Sequence, residues 1–262
     1  MRRNIMQKGA VISAFFIAWL SAPAGWAADD CAAPPEMESV QVRHVHDGDT
    51  LWLSDGRKLR LIGIDTPELG HKQRPAQPYA EQARQALRKL VADSNHQIKL
   101  SYGPQRYDRY RRTLAHLYSA DGRSLQAELL RQGLATAFTT PPNNTRSPCY
   151  RRMEAIAMDT GIGIWSLPRY RLIPAAQLNA EDNGFRRISG QVERIRFTRK
   201  GTYLELGSLL VKIKPADLRY FDHNRLQQLN GKTVQIRGWV HPRKDRLFML
   251  LRHPDALIID SK

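Results

Sequence analysis

The sequence predicts a mixed α+β chain rich in strands: a five-stranded barrel wrapped by three helices, followed by a second, smaller β-barrel. Three observations predict it. Short runs of alternating apolar and polar residues recur between Gly, Pro and Asp turn signals. Only a few segments carry apolar residues at helical spacing. Strand signals then resume after an aperiodic stretch, in a chain long enough for two units.

Residues 1–27 fall outside either unit. Arg2, Arg3 and Lys8 precede the apolar run "AVISAFFIAWL", and Gly25-Trp26-Ala27 ends it with small residues. This is the pattern of a cleaved secretory signal peptide. A membrane anchor is the alternative reading, but the run is short for a span of about 20 residues. Residues 28–39 form an N-terminal arm. From Val40, "VQVRHVH" and "TLWLS" read as strands, Asp55-Gly56 as a hairpin turn, and "RKLRLIGI" as the returning strand. Ala80, Ala83, Leu87 and Leu90 mark a helix over 79–91. "QIKLSY" and "TLAHLYS" supply two more strands around the charged loop 103–112. Ser124 is placed to cap a second helix that ends at Gly133, and Ser147-Pro148 to start a third. Five strands and three helices over 40–171 suit a small Greek-key barrel.

Residues 172–184 lack periodicity and read as a linker. Over 185–262 the order is three strands, a helix over 216–229, then two strands, which is that of an OB-fold.

The formal net charge is +16, and the leader accounts for three of those charges. The rest is uneven. Residues 28–184 hold 21 Lys/Arg against 18 Asp/Glu, whereas residues 185–262 hold 17 against 7. Such a basic C-terminal unit is expected to meet a polyanion: nucleic acid, a membrane surface or an acidic polysaccharide. Cys31 and Cys149 are the two cysteines. In an oxidising compartment an even count suggests a disulfide; two unpaired structural thiols are the alternative.

The acidic residues concentrate around one hairpin. Asp47 and Asp49 flank Gly48 before the second strand, while Asp65, Thr66 and Glu68 follow the third. The Asp55-Gly56 turn makes those strands antiparallel neighbours, so Asp49 and Asp65 should meet at one end of the hairpin. Converging carboxylate oxygens suit Ca²⁺ or Mg²⁺, although a solvated turn would carry the same residues. The spacing is not that of an EF-hand, because Leu51 and Trp52 occupy the fifth and sixth positions. Arg60 and Arg112 add planar guanidinium groups suited to gripping phosphate. Cation, spare carboxylate and two arginines are the parts of a phosphodiester hydrolase.

With these motifs in order, "DGDT" (47–50), "RLIGIDTPE" (60–68), "YDRYRR" (107–112), "RQGLA" (131–135) and "PNNT" (142–145), residues 40–167 resemble the thermonuclease, or staphylococcal nuclease-like, family. The resemblance implies a five-stranded OB-fold barrel with three helices and a Ca²⁺-dependent nuclease that cleaves DNA and RNA to 3′-phosphate products. It implies Asp49, Asp65 and the Thr66 carbonyl as calcium ligands, Glu68 as the group that activates water, Arg60 and Arg112 as phosphate-binding catalytic residues, and Asp47 as a supporting acid. Two positions depart from the family pattern. Arg111 stands where the family usually has Gly, and Phe138 near a position that often holds Tyr.

Tyr110, Phe138, Tyr203 and Trp239 are candidate nucleic-acid contacts, since aromatic faces stack on bases. Trp239 serves equally as core. His44 and His46 alternate on one strand and supply two metal ligands at most, and "GIGIW" (161–165) reads as a helix stop rather than a nucleotide loop. The function expected is an exported, monomeric nuclease acting on DNA and RNA without a protein partner; the alternative is a non-catalytic nucleic-acid or polyanion binder of the cell envelope.

Overall fold

The computed structural model describes residues 31–71, 74–243 and 246–259. The expected signal peptide lies outside them. Among the described residues no helix is long and apolar enough to cross a membrane.

In the first unit β1 (Glu38–Val45), β2 (Thr50–Leu53) and β3 (Lys58–Leu61) follow one another as antiparallel neighbours. The chain then turns at Ile62-Gly63 into a two-residue strand, β4 (Ile64–Asp65). Gly63 has φ +83°, and a Cβ there would stand 2.6 Å from the Tyr150 ring, so only glycine fits the turn. Helix α1 (Ala80–Ala92) buries Ala80, Ala83, Leu87 and Val91, the stripe that helical spacing predicts. Tyr79 precedes it with φ 70° and does not join the helix. β5 (Gln97–Tyr107) and β6 (Thr113–Tyr118) complete a closed barrel in the order β1-β2-β3-β6-β5. β5 takes in half of what the sequence suggested was loop.

Helix α2 (Leu125–Arg131) is capped as expected, with the Ser124 side chain accepting from Ala127 N. A second two-residue strand, β7 (Thr136–Ala137), pairs antiparallel with β4. Helix α3 (Ser147–Thr160) corrects one expectation. Ser147 is the first helical residue rather than the cap, and Arg146 precedes it without a capping side-chain bond. Cys31 and Cys149 form a disulfide across 118 residues. It pins the arm to the core, where Cys149 is fully buried.

The stretch expected as a linker is ordered. It contains β8 (Leu172–Pro174), which pairs in parallel with β9 (Gly184–Gln191). β10 (Arg194–Thr198), β11 (Gly201–Leu206) and β12 (Leu209–Ile213) follow. The helix expected over 216–229 is a 3₁₀ turn over Pro215–Tyr220 and a short α4 (His223–Gln227). β13 (Thr233–Arg243), β14 (Arg246–Leu250) and β15 (Leu257–Ile259) end the unit. These strands form an eight-stranded sheet in the order β10-β11-β12-β14-β13-β9-β8, with β15 also on β13. β9 and β10, far apart in that order, are separated by two residues of chain. Each unit has its own apolar core.

A third cluster joins the units. Ala157, Ile164, Trp165 and Tyr170 pack with Phe185, and Trp239 rests against them. Beside it the Arg237 guanidinium meets the Glu154 carboxylate of α3 as a fork, Nη2 to Oε1 at 2.5 Å and Nη1 to Oε2 at 2.6 Å. Glu154 is 1% exposed and Arg237 8%. Asp255 accepts from Thr139 and Ser147 across the same boundary. Burial works to raise its pKa, but hydrogen bonds from His253, Ser147 and Thr139 outweigh it and bring the carboxyl down to about 2.

Candidate active site

The mouth of the first barrel brings the hairpin acids together, because β2 and β3 start and end there. Thr50 lies opposite Arg60, and Leu61 N donates to Asp49 O. Asp49 is therefore fixed by backbone pairing. Its Oδ2 accepts from the Thr66 backbone N–H and hydroxyl, both at 3.1 Å, and Oδ1 from the Thr50 hydroxyl. Asp47 Oδ1 accepts from Asp49 N, closing a turn around Gly48. A Cβ on Gly48 would lie 2.7 Å from the Ala83 Cβ and 2.8 Å from the Thr66 hydroxyl. The glycine of "DGDT" thus lets the turn seat on α1 and Thr66.

Arg60 reaches both acids. Its Nη2 bonds Asp65 Oδ1 at 2.9 Å, and Nη1 forms an ion pair with Asp49 Oδ2 that lacks hydrogen-bond alignment. Asp65 sits on β4, held by β7: Thr136 lies opposite it, Ala137 opposite Ile64, and Phe138 N donates to Gly63 O. The inter-unit ion pair acts on this same strand. Glu154 Oε1 accepts from Ala137 N at 2.7 Å, and Arg237 Nη2 donates to Ala137 O at 3.2 Å.

Electrostatics at the mouth follow first from burial and then from the crowding of acids. Burial, then the charges of Asp49 and Glu68, push the Asp65 carboxyl up to about 7 against the pull of Arg60. Glu68 is raised by burial and by Asp49 and Asp47, while Arg60 and Arg112 act on it in the opposite sense. Asp47 is raised by burial and by Asp49.

Glu68 is anchored through its backbone: its N–H donates to Gln77 Oε1, and its carbonyl accepts from Gln77 N. Arg112 is braced by Asp108, whose carboxylate accepts from Arg112 N and Nε at 2.9 and 2.7 Å. Gln77 and Asp108 were missed in the sequence; Asp108, four residues from Arg112 within "YDRYRR", carried a readable signal. Arg111 takes φ +61°, which accounts for the family's glycine at that position.

Of the candidate nucleic-acid contacts, Tyr110 is exposed beside Arg112, whose guanidinium lies 5.6 Å from its ring centroid. Phe138 lines a cavity shared with the second unit. Tyr203 is half-buried on the second sheet, away from these acids in the fold. Trp239 packs partly buried against the inter-unit cluster, the core role the sequence equally allowed, and Arg237 beside it is buried against Glu154. His44 and His46 stand 6.5 Å apart between ring centroids and are exposed.

Residues 58–167 match the family of staphylococcal nuclease homologues. The chain is 34% identical over 131 residues to the thermonuclease of Staphylococcus intermedius, covering 49% of this chain and 76% of that protein. The chain belongs to the staphylococcal nuclease family. It is also 33% identical over 132 residues to the thermonuclease of Staphylococcus hyicus, and 34% identical over 139 residues to endonuclease YncB of Bacillus subtilis, of which it covers 65%. The family match ends at residue 167, ahead of the second sheet.

The donor set fits the calcium ion that the family implies. Asp49, Asp65 and the Thr66 carbonyl offer hard oxygens, and the two carboxylates converge closely enough for one guanidinium to touch both.

Proposed function

We propose that this chain is an exported, calcium-dependent nuclease that hydrolyses phosphodiester bonds of DNA and RNA with little sequence specificity, leaving 3′-phosphate ends. The observation that carries the reading is the Arg60 guanidinium held between Asp49 and Asp65, with Glu68 and Arg112 in electrostatic reach of that cluster. The disulfide supports an oxidising compartment. The first unit acts as the catalytic body, and the chain works as a monomer.

Asp49, Asp65 and the Thr66 carbonyl would hold the cation, with Asp47 orienting Asp49. Bound Ca²⁺ supplies charge that offsets the phosphate's gain of negative charge. Arg60 and Arg112 grip the non-bridging oxygens, a task for planar forks. Glu68 takes a proton from the attacking water, and its raised pKa brings it nearer the range of an efficient base. Water oxygen bonds to phosphorus as the bond to the 5′ oxygen breaks. The phosphate stays on the 3′ side, and the 5′ oxygen leaves with a proton returned from the site.

Plasmid nicking with Ca²⁺, and with chelator in its place, tests the reading. Nicking that requires Ca²⁺ and yields 3′-phosphate ends is expected. Plasmid binding without cleavage at any Ca²⁺ concentration would instead establish a non-catalytic nucleic-acid binder.

A further inference from the structure

The second unit presents a surface that cleavage does not use. β10, β11, β12 and β14 are adjacent and in register, so their outward side chains form rows across the sheet. Arg196 lies opposite Tyr203, Tyr203 opposite Lys212, and Lys212 opposite Leu250. The neighbouring row runs through Glu205, Leu210 and Phe248. Leu204, Val211 and Met249 between them are fully buried, which places both rows on the outer face.

The face combines cations with aromatic rings. The Arg196 guanidinium lies 5.6 Å and the Lys212 ammonium 5.2 Å from the Tyr203 ring centroid, and Arg243 lies 5.4 Å from that of Phe248. Exposed Arg199 and Lys200 extend the charge into the β10–β11 turn. Glu205 opposes it and pairs with Arg196 at 2.9 Å. At the other end of the Tyr203 row, Leu250 lines the inter-unit cavity together with Phe138, which follows β7. The surface thus leads towards the strand that holds Asp65.

We propose that this face binds single-stranded nucleic acid. Cations displace counterions from phosphates, and exposed bases stack on aromatic rings that a duplex cannot reach with its bases paired. The choice of polyanion rests on the nuclease reading; binding itself needs neither Ca²⁺ nor cleavage.

The test uses full-length protein in chelator, with binding of a labelled oligothymidylate followed by fluorescence anisotropy. Y203L/F248L keeps apolar volume but removes both rings, and its affinity is expected to fall at least tenfold. R196E/K212E is expected to weaken binding and flatten the salt dependence, since each phosphate contact adds about 0.7 to the slope for single strands. Melting temperatures confirm that both variants are folded. Unchanged affinity in both folded variants overturns the proposal. So does equal affinity of wild type for oligothymidylate, duplex and heparin with no loss in Y203L/F248L, which identifies a general polyanion surface. A protein that binds as expected here but fails to nick plasmid with Ca²⁺ sinks the nuclease reading alone.

Discussion

Arg237→Ala removes a residue that touches none of the proposed catalytic groups, yet it should weaken both the fold and the site. Glu154 would lose the two ion-paired hydrogen bonds at 2.5 and 2.6 Å, and Ala137 O the bond at 3.2 Å. Breaking one side of a buried ion pair costs about 3–5 kcal/mol, because the remaining charge stays buried. Arg151 still reaches Glu154 Oε2 at 2.9 Å, so the lower end, about 3 kcal/mol, is expected. The loss falls on β7, which holds β4 and Asp65 in register. Urea unfolding monitored by fluorescence gives the stability, and calorimetric titration with Ca²⁺ reads the site. The double variant E154M/R237M should recover part of the stability by removing the stranded charge, while leaving Ala137 N without its acceptor. Loss of under 1 kcal/mol in R237A, with wild-type Ca²⁺ affinity, would refute the idea that the second unit braces the site.

Glu68→Gln should keep the fold but lower turnover by roughly 10²–10⁴-fold, and near wild-type turnover would remove Glu68 from the chemistry. Arg60→Lys should also fail in the nicking assay, because an ammonium cannot bridge Asp49 and Asp65 or fork onto phosphate. Replacing both cysteines by serine should cost about 2–5 kcal/mol in urea unfolding, given the long loop that the disulfide closes; an unchanged midpoint contradicts this. Asp255 is held below its unfolded pKa, so its contribution is present above about pH 4 and fades as pH falls towards 2. Acid melting curves of wild type and Asp255→Asn should therefore converge in that window, and a constant gap would argue against it.

The barrel was legible because its strands alternate and its turns are spelled in local residues: Asp55-Gly56 for the hairpin, Ser124 for the α2 cap. The helix after β12 was misjudged because its apolar residues serve a 3₁₀ turn shaped by packing under the sheet. β4 and β7, two residues each, are too short to leave any periodicity. Ser147 looked like a cap because Pro148 follows it; its hydroxyl instead points across the boundary to Asp255.

The sequence motifs alone supplied the candidate residues for the proposed chemistry. Asp49, Arg60, Asp65, Thr66 and Glu68 occur in two motifs around one turn, whose spacing implies a shared hairpin end for Asp49 and Asp65, and Arg112 in a separate motif before a later strand. Tertiary structure alone decided what holds them. Glu154 and Arg237 act through contacts between segments far apart in the chain, and such contacts have no period or spacing to read, whereas Asp108 and Gln77 brace Arg112 and Glu68 locally. It also decided that Arg237 faces a buried carboxylate rather than a polyanion. A charge in a sequence has only a sign; burial and a partner at 2.5 Å give it a role.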